Sequence, residues 1–149
     1  MLRLTPEQFA QIVAQGLEGK PLEICGFLAG RSTPSAKEVA QIFPIESDDK
    51  SPLTYSMNPL QQMRAEREIR ASGLEIVGIY HTHPATIPFP SKTDVARAHW
   101  GESDDLLFPN YSYLIVSLRD PNNPEPRSFK IRGRKIPEDI EEELVHIGE

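Results

Sequence analysis

Apolar positions recur along this chain with two periods, one helical and one alternating. After Thr5-Pro6-Glu7-Gln8, the residues Phe9, Ile12, Val13 and Leu17 fall at helical spacing. Thr5 reads as the N-cap, Pro6 as a first-turn residue and Gln8 as the closing member of a capping box, with Gly16 or Gly19 as the stop. Ile24–Ala29 is a short apolar run that predicts a buried strand. A second strand is expected over Glu38–Phe43, stopped by Pro44, then a polar loop from Glu46 to Pro52 and a brief extended piece, Thr54–Met57. Asn58-Pro59-Leu60-Gln61 repeats the helix-start grammar and predicts a helix over Pro59–Ser72, ended by Gly73. Leu74–Tyr80, rich in β-branched and aromatic residues, predicts a central strand that runs into His81-Thr82-His83-Pro84. Pro84, Pro88 and Pro90 make the next stretch a loop. Ser91-Lys92-Thr93-Asp94 then opens a third helix, with Val95, Ala98 and His99 on one face and Trp100 at its end. Tyr111–Leu118 and Arg127–Ile131 flank a proline-rich turn and predict a hairpin, and Pro137–Ile147 predicts an acidic amphipathic helix with Ile140, Leu144 and Ile147 on one side. Interleaved strands and helices of this kind imply an α/β or α+β fold around one core.

Composition narrows the picture. A chain of 149 residues is expected to form one domain over 1–149, large enough to bury a core without staples. Its one cysteine cannot form an internal disulfide or a multi-thiolate metal site, which suits a cytoplasmic protein. No apolar run approaches the roughly 18 residues of a membrane span, and Met1–Leu4 is too short for a signal peptide, so no membrane partner is expected. The net charge of −6, from 22 acidic against 16 basic residues, argues against a nucleic-acid partner. Of the 14 prolines, Pro6 and Pro59 start helices, Pro121, Pro124 and Pro126 stiffen the turn before Arg127, and Pro84, Pro88 and Pro90 lie in the loop before Ser91, so they mark turns instead of disorder.

The chemistry concentrates at the end of the central strand. His81 and His83 are alternate residues, so both imidazoles leave one face within reach of one ion. Asp94 lies in the first turn of the next helix, which the proline-stiffened loop can fold back over the strand end. Two histidines and a carboxylate fill three of zinc's four positions and leave the fourth for water, the layout of a catalytic site, with bound water acidified toward a pKa of roughly 7. Ser91, at the same helix entrance, can donate to a developing oxyanion. It also fits an ordinary capping box with Asp94, and the two roles are compatible. For a general base the local sequence offers no candidate: H-E-x-x-H is absent.

His81-Thr82-His83-Pro84, six residues, then Ser91-Lys92-Thr93-Asp94 resemble the JAMM motif of the MPN-plus zinc isopeptidases, H-[ST]-H-P followed by S-x-x-D. Glu23-Ile24-Cys25-Gly26-Phe27-Leu28-Ala29-Gly30 is similar to the family's distal E-x-C-G-x-L-x-G segment. Ser51–Tyr55, Ile79-Tyr80 and Leu114–Ile131 look like its short bacterial branch, so the resemblance covers nearly the whole chain. It implies a curved mixed β-sheet flanked by helices, cytidine-deaminase-like, with one zinc ion per chain at an end of the sheet. His81, His83 and Asp94 become the ligands, Ser91 the oxyanion donor and Glu23 the general base. It further implies hydrolysis of an amide after the C-terminal Gly of a ubiquitin-like or sulfur-carrier protein with a Gly-Gly tail. The alternative is a non-catalytic MPN-type interaction scaffold, whose members have typically lost ligand positions; this chain has lost none. A zinc deaminase is excluded, since its H-x-E and P-C-x-x-C signature is missing.

Other candidates read more plainly. Cys25 shares a face with Glu23 if that segment is extended, but a small buried residue is the expectation, with no base beside it to activate the thiol. His99 and His146 lack ligand spacing and are read as packing or surface histidines. The apolar stripe of the tail helix would support a homodimer.

Overall fold

The computed structural model describes every residue from Met1 to Glu149. Its frame is one eight-stranded mixed sheet of order β7-β6-β5-β4-β2-β3-β1-β8. In chain order the elements are β1 (Leu2–Leu4), α1 (Pro6–Gly19), β2 (Cys25–Ser32), β3 (Lys37–Ile45), α2 (Pro59–Ala71), β4 (Glu75–His83), α3 (Lys92–Arg97), β5 (Ser112–Ser117), β6 (Glu125–Ile131), β7 (Ile140–Glu143) and β8 (Val145–Ile147). The sheet curls, because β7 and β8 lie at its two ends yet are separated in sequence only by Leu144, whose carbonyl accepts from Leu2 N. No helix is long and apolar enough to cross a membrane.

Each face of the sheet carries its own core. On one side α1 lays Ile12 against Leu28, Tyr80, Leu114 and Leu118; on the other α2 and α3 bring Ala65, Ile69, Val95 and Ala98 onto Phe27, Ile79 and Tyr113. Burying each large side chain of this kind contributes about 1.5–3 kcal/mol. The central strand β4 does not alternate simply between the two cores. Leu28 pairs with Gly78 while Ala29 pairs with Ile76, which leaves Val77 as an extra residue in a bulge. Beyond it, Ile79, His81 and His83 face the α2–α3 side, and Tyr80 and Thr82 face α1. The bulge therefore decides which side of the sheet receives the histidines.

The helix starts form as their sequences dictate. Thr5 makes a reciprocal capping box with Gln8, Asn58 accepts from Gln61 N, and Ser91 makes a second capping box with Asp94. Gly73, at φ +73°, ends α2 as expected, and the β5–β6 hairpin pairs antiparallel as expected. Helix α3 stops at Arg97, short of the His99 and Trp100 expected on it, and His99 forms a bridge with Leu106 instead. Two larger expectations differ. Strand β3 continues through Pro44 to Ile45, because β1 pairs with β3 only at Lys37 and Glu38, so at Pro44 the outer edge of β3 has no neighbouring strand that would need the missing N–H.

The acidic tail is the larger correction. Pro137–Ile147 is not a helix: it forms β7 against β6 and β8 against β1. Cross-strand partners take up the acids. Arg127 forms a two-pronged pair with Glu142, Arg132 pairs with Glu141, and Glu143 accepts from the Ser112 and Ser128 hydroxyls. Sheet pairing and these contacts outweigh the helical propensity of a Glu-rich run. The apolar stripe on which a homodimer rested is absent, with Leu144 standing 77% exposed between the two strands.

Candidate metal centre

Four side chains that the sequence singled out meet at the end of β4. His81, His83, Asp94 and Glu23 are all buried, and their ligand atoms lie within 4.8 Å of one another. His81 Nε2 is 3.1 Å from His83 Nε2 and 3.2 Å from Asp94 Oδ2, and His83 Nε2 is 3.3 Å from Asp94 Oδ2. A tetrahedral zinc with ligands at 2.0–2.1 Å has ligand–ligand edges of about 3.3 Å. These three atoms are spaced as such a triangle requires. His83 Nδ1 donates to the Ile87 carbonyl at 2.8 Å, a tautomer that turns the lone pair of Nε2 toward the cluster. Asp94 Oδ2 also accepts from Ser91 N at 2.9 Å, so the capping box aims the carboxylate.

The charges agree with this fit. For Asp94, burial opposes ionisation, but His81, His83 and the Ser91 amide outweigh it and hold the carboxyl well below the usual range. For His83, burial opposes protonation, but the bond to Asp94 and the Ile87 carbonyl outweigh it and raise its pKa. Both directions describe a pocket with a place for positive charge, which a divalent cation would fill.

Glu23 arrives from outside any regular element. Its amide donates to Ser51 O at 3.0 Å, and the next residue is clamped to β4: Ile24 N donates to Thr82 Oγ1, and Thr82 N donates to Ile24 O, each at 3.1 Å. Gly16 lets α1 lie directly on Thr82, since a Cβ there would come within 2.8 Å of Thr82 Cγ2. Glu23 is 4% exposed, Oε1 has no hydrogen-bond partner, and burial pushes its pKa up to about 7, with the histidines opposing that rise and Asp94 adding to it. A carboxyl in this state can both accept and release a proton near neutral pH. Ser91 Oγ accepts from Asp94 N at 3.0 Å; this uses a lone pair and leaves the hydroxyl proton free to be donated.

The remaining candidates are placed as expected. Cys25 is fully buried, its thiol donating to Ile45 O and pushed up to about 12 by burial, so it stays protonated. His99 is a packing histidine whose Nδ1 donates to Val95 O, and His146 is an exposed residue of β8. Trp100 lies on the rim of a largely apolar cleft of about 400 Å³ that starts at Asp94 and runs past Tyr55, Phe108 and Tyr113. Three contributors were not singled out from sequence as site residues. Thr82 fixes Ile24, Tyr55 stacks on His81 with ring centroids 4.5 Å apart, and Arg97 donates to Asp49 and to the Tyr55 carbonyl. Their only signals were position between two histidines, and membership of the Ser51–Tyr55 segment; Arg97 had none.

Known proteins are similar to this chain. A CysO-cysteine peptidase of Mycobacterium tuberculosis is 32% identical over 86% of this chain and 81% of its own. A desampylase of Haloferax volcanii is 34% identical over 78% of this chain and 80% of its own. The solution structure of a protein from Desulfitobacterium hafniense superposes with a TM-score of 0.83 at 33% identity, covering 100% of this chain and 94% of that one. Residues 5–132, which contain all five motif positions, match the Prok-JAB model, described as prokaryotic homologs of the JAB domain. The chain belongs to the Prok-JAB family.

Proposed function

We propose that this protein is a zinc-dependent hydrolase, which cleaves the amide bond after the C-terminal glycine of a ubiquitin-like sulfur carrier in the cytoplasm. The observation that carries this reading is the convergence of Glu23, His81, His83 and Asp94 on one point. The relative named a CysO-cysteine peptidase supports the substrate class. His81, His83 and Asp94 would hold the ion, and one ion per chain uses all three. When bound, zinc supplies Lewis acidity and lowers the pKa of water to about 7.

The chain's own residues supply the rest. Glu23 accepts a proton from the attacking water and passes it to the leaving nitrogen, so the amide and water become a carboxylic acid and an amine. Its unpartnered Oε1 and its pKa of about 7 suit both transfers. The Ser91 hydroxyl donates to the oxyanion as the carbonyl turns tetrahedral. The apolar cleft, which meets the site at Asp94, offers room for an extended glycine-rich tail. A scaffold function draws no support from the site, because every position of the constellation carries a side chain able to do its chemistry.

The test is cleavage of a carrier–cysteine conjugate by zinc-loaded protein, read by mass spectrometry. Wild type is expected to release cysteine and the Glu23→Gln variant to lose at least about 100-fold in rate. A Glu23→Gln protein of wild-type activity would overturn the mechanism.

A further inference from the structure

Metal-binding histidines are ordinarily oriented by a hydrogen bond from the second ring nitrogen. His83 has one, to the Ile87 carbonyl, but His81 Nδ1 is buried without a partner. What touches the His81 ring instead is Tyr55, stacked at 4.5 Å between centroids with an interplanar angle of 29°. Tyr55 belongs to residues 46–57, a strap between β3 and α2 whose only sheet-like contact is the single bridge Ser47–Met57. This strap touches the candidate site at three places: Ser51 O at the Glu23 amide, Tyr55 on His81, and Asp49 with the Tyr55 carbonyl on α3.

One side chain makes the third attachment. Arg97, one turn after Asp94, donates from Nη1 to Asp49 Oδ2 at 2.6 Å and to Tyr55 O at 2.7 Å. Thr54 Oγ1 donates to the same Asp49 oxygen at 2.8 Å, which braces the carboxylate. The result is a closed circuit: Asp94 and Arg97 on α3, Arg97 to the strap, Tyr55 to His81 on β4, and His81 back to Asp94.

Resting on the zinc-site reading above, we infer that Arg97 is a positioning residue for the metal centre, acting through Tyr55 to fix the His81 ring, whose Nδ1 has no hydrogen-bond partner. Arg97 reaches the reaction through the strap, without contact to the reacting atoms. Stacking replaces, at His81, what the Ile87 carbonyl does at His83.

The test compares wild type with Arg97→Met, Arg97→Lys, Tyr55→Phe, Tyr55→Leu and the Arg97→Met/Tyr55→Leu double variant. Zinc affinity is read by competition with a chromophoric chelator, and kcat and KM are read on the carrier–cysteine conjugate. Arg97→Met is expected to weaken zinc binding and lower kcat, each by about 10–100-fold, the usual cost of losing an outer partner of a ligand. KM should stay within about threefold. Arg97→Lys, which keeps a donor, should recover a large part of both losses. Tyr55→Phe should bind zinc at least about 10-fold tighter than Tyr55→Leu. The double variant should be no worse than the worse single one, because both act through one contact. A rise in KM with unchanged kcat would make Arg97 a substrate contact and overturn the inference, as would full additivity or unchanged zinc affinity. Should Arg97→Met fail to fold, Asp49→Ala takes its place, since it removes the strap's side-chain half of the Arg97 contact: weakened zinc binding with unchanged KM supports the inference, and unchanged zinc affinity overturns it. A wild-type protein that binds no zinc would instead defeat the site reading itself.

Discussion

Replacing Glu23 by glutamine should make the metal-free protein more stable at alkaline pH, and the structure gives the size of the gain. The carboxyl ionises near 4.5 when unfolded and at about 7 in the fold, where burial opposes the charge. Between those values the native protein keeps a proton that the unfolded chain gives up. Stability is therefore fully present below about pH 4.5 and is lost as pH rises toward 7. Each tenfold change in proton affinity is worth about 1.4 kcal/mol, so ionised Glu23 costs the apo-protein up to about 3 kcal/mol at pH 8. Glutamine matches the shape of the protonated acid and escapes this cost. Urea unfolding of chelator-treated protein should show Glu23→Gln stabilised by up to about 3 kcal/mol at pH 8, a midpoint shift of roughly 1–2 M. At pH 4.5 the difference should shrink to roughly 0.5 kcal/mol or less. Equal stabilities at pH 8, or a difference that does not depend on pH, would refute the claim that Glu23 is buried at a cost.

Three further outcomes follow from the same contacts. Asp94→Asn, measured by zinc competition and conjugate cleavage, should lose at least about 10-fold in metal affinity with activity falling alongside, since the carboxylate that balances the cation is gone. Ser91→Ala should cost about 1 kcal/mol of stability through the lost cap of α3, and about 100–1,000-fold in kcat through the lost donor; denaturant midpoints and steady-state kinetics separate the two. Thr82→Val takes the side-chain partner from the half-buried Ile24 N–H, and should cost about 1 kcal/mol by thermal or urea unfolding and lower kcat by displacing Glu23.

How much of this was legible follows from whether the deciding contact is local. Helix starts at Thr5, Asn58 and Ser91 were readable because the cap and its partner lie three residues apart. The histidine pair was readable from strand alternation. That Asp94 joins them was inferred from a stiffened loop, and the capping box with Ser91 now explains the carboxylate's aim. Glu23 was invisible to spacing rules, because its place is set by pairing between distant segments: Cys25 lies opposite His81, and Ile24 is clamped by Thr82. Only family resemblance pointed to it. The tail misled for the reverse reason. Glu141–Glu143 look helical alone, and become strand residues through Arg127, Arg132, Ser112 and Ser128, all remote in sequence. The bulge at Val77 and the Arg97 circuit left no periodic trace.

Zinc dependence of conjugate cleavage tests the central claim most directly. Purified protein is assayed for bound zinc and then incubated with a carrier–cysteine conjugate before chelation, after chelation and after zinc is restored, with the carrier's mass followed throughout. The account predicts one zinc per chain, a loss of carrier mass equal to the released amino acid less one water, abolition by the chelator and recovery with zinc. Cleavage that persists undiminished in protein stripped of metal would contradict it.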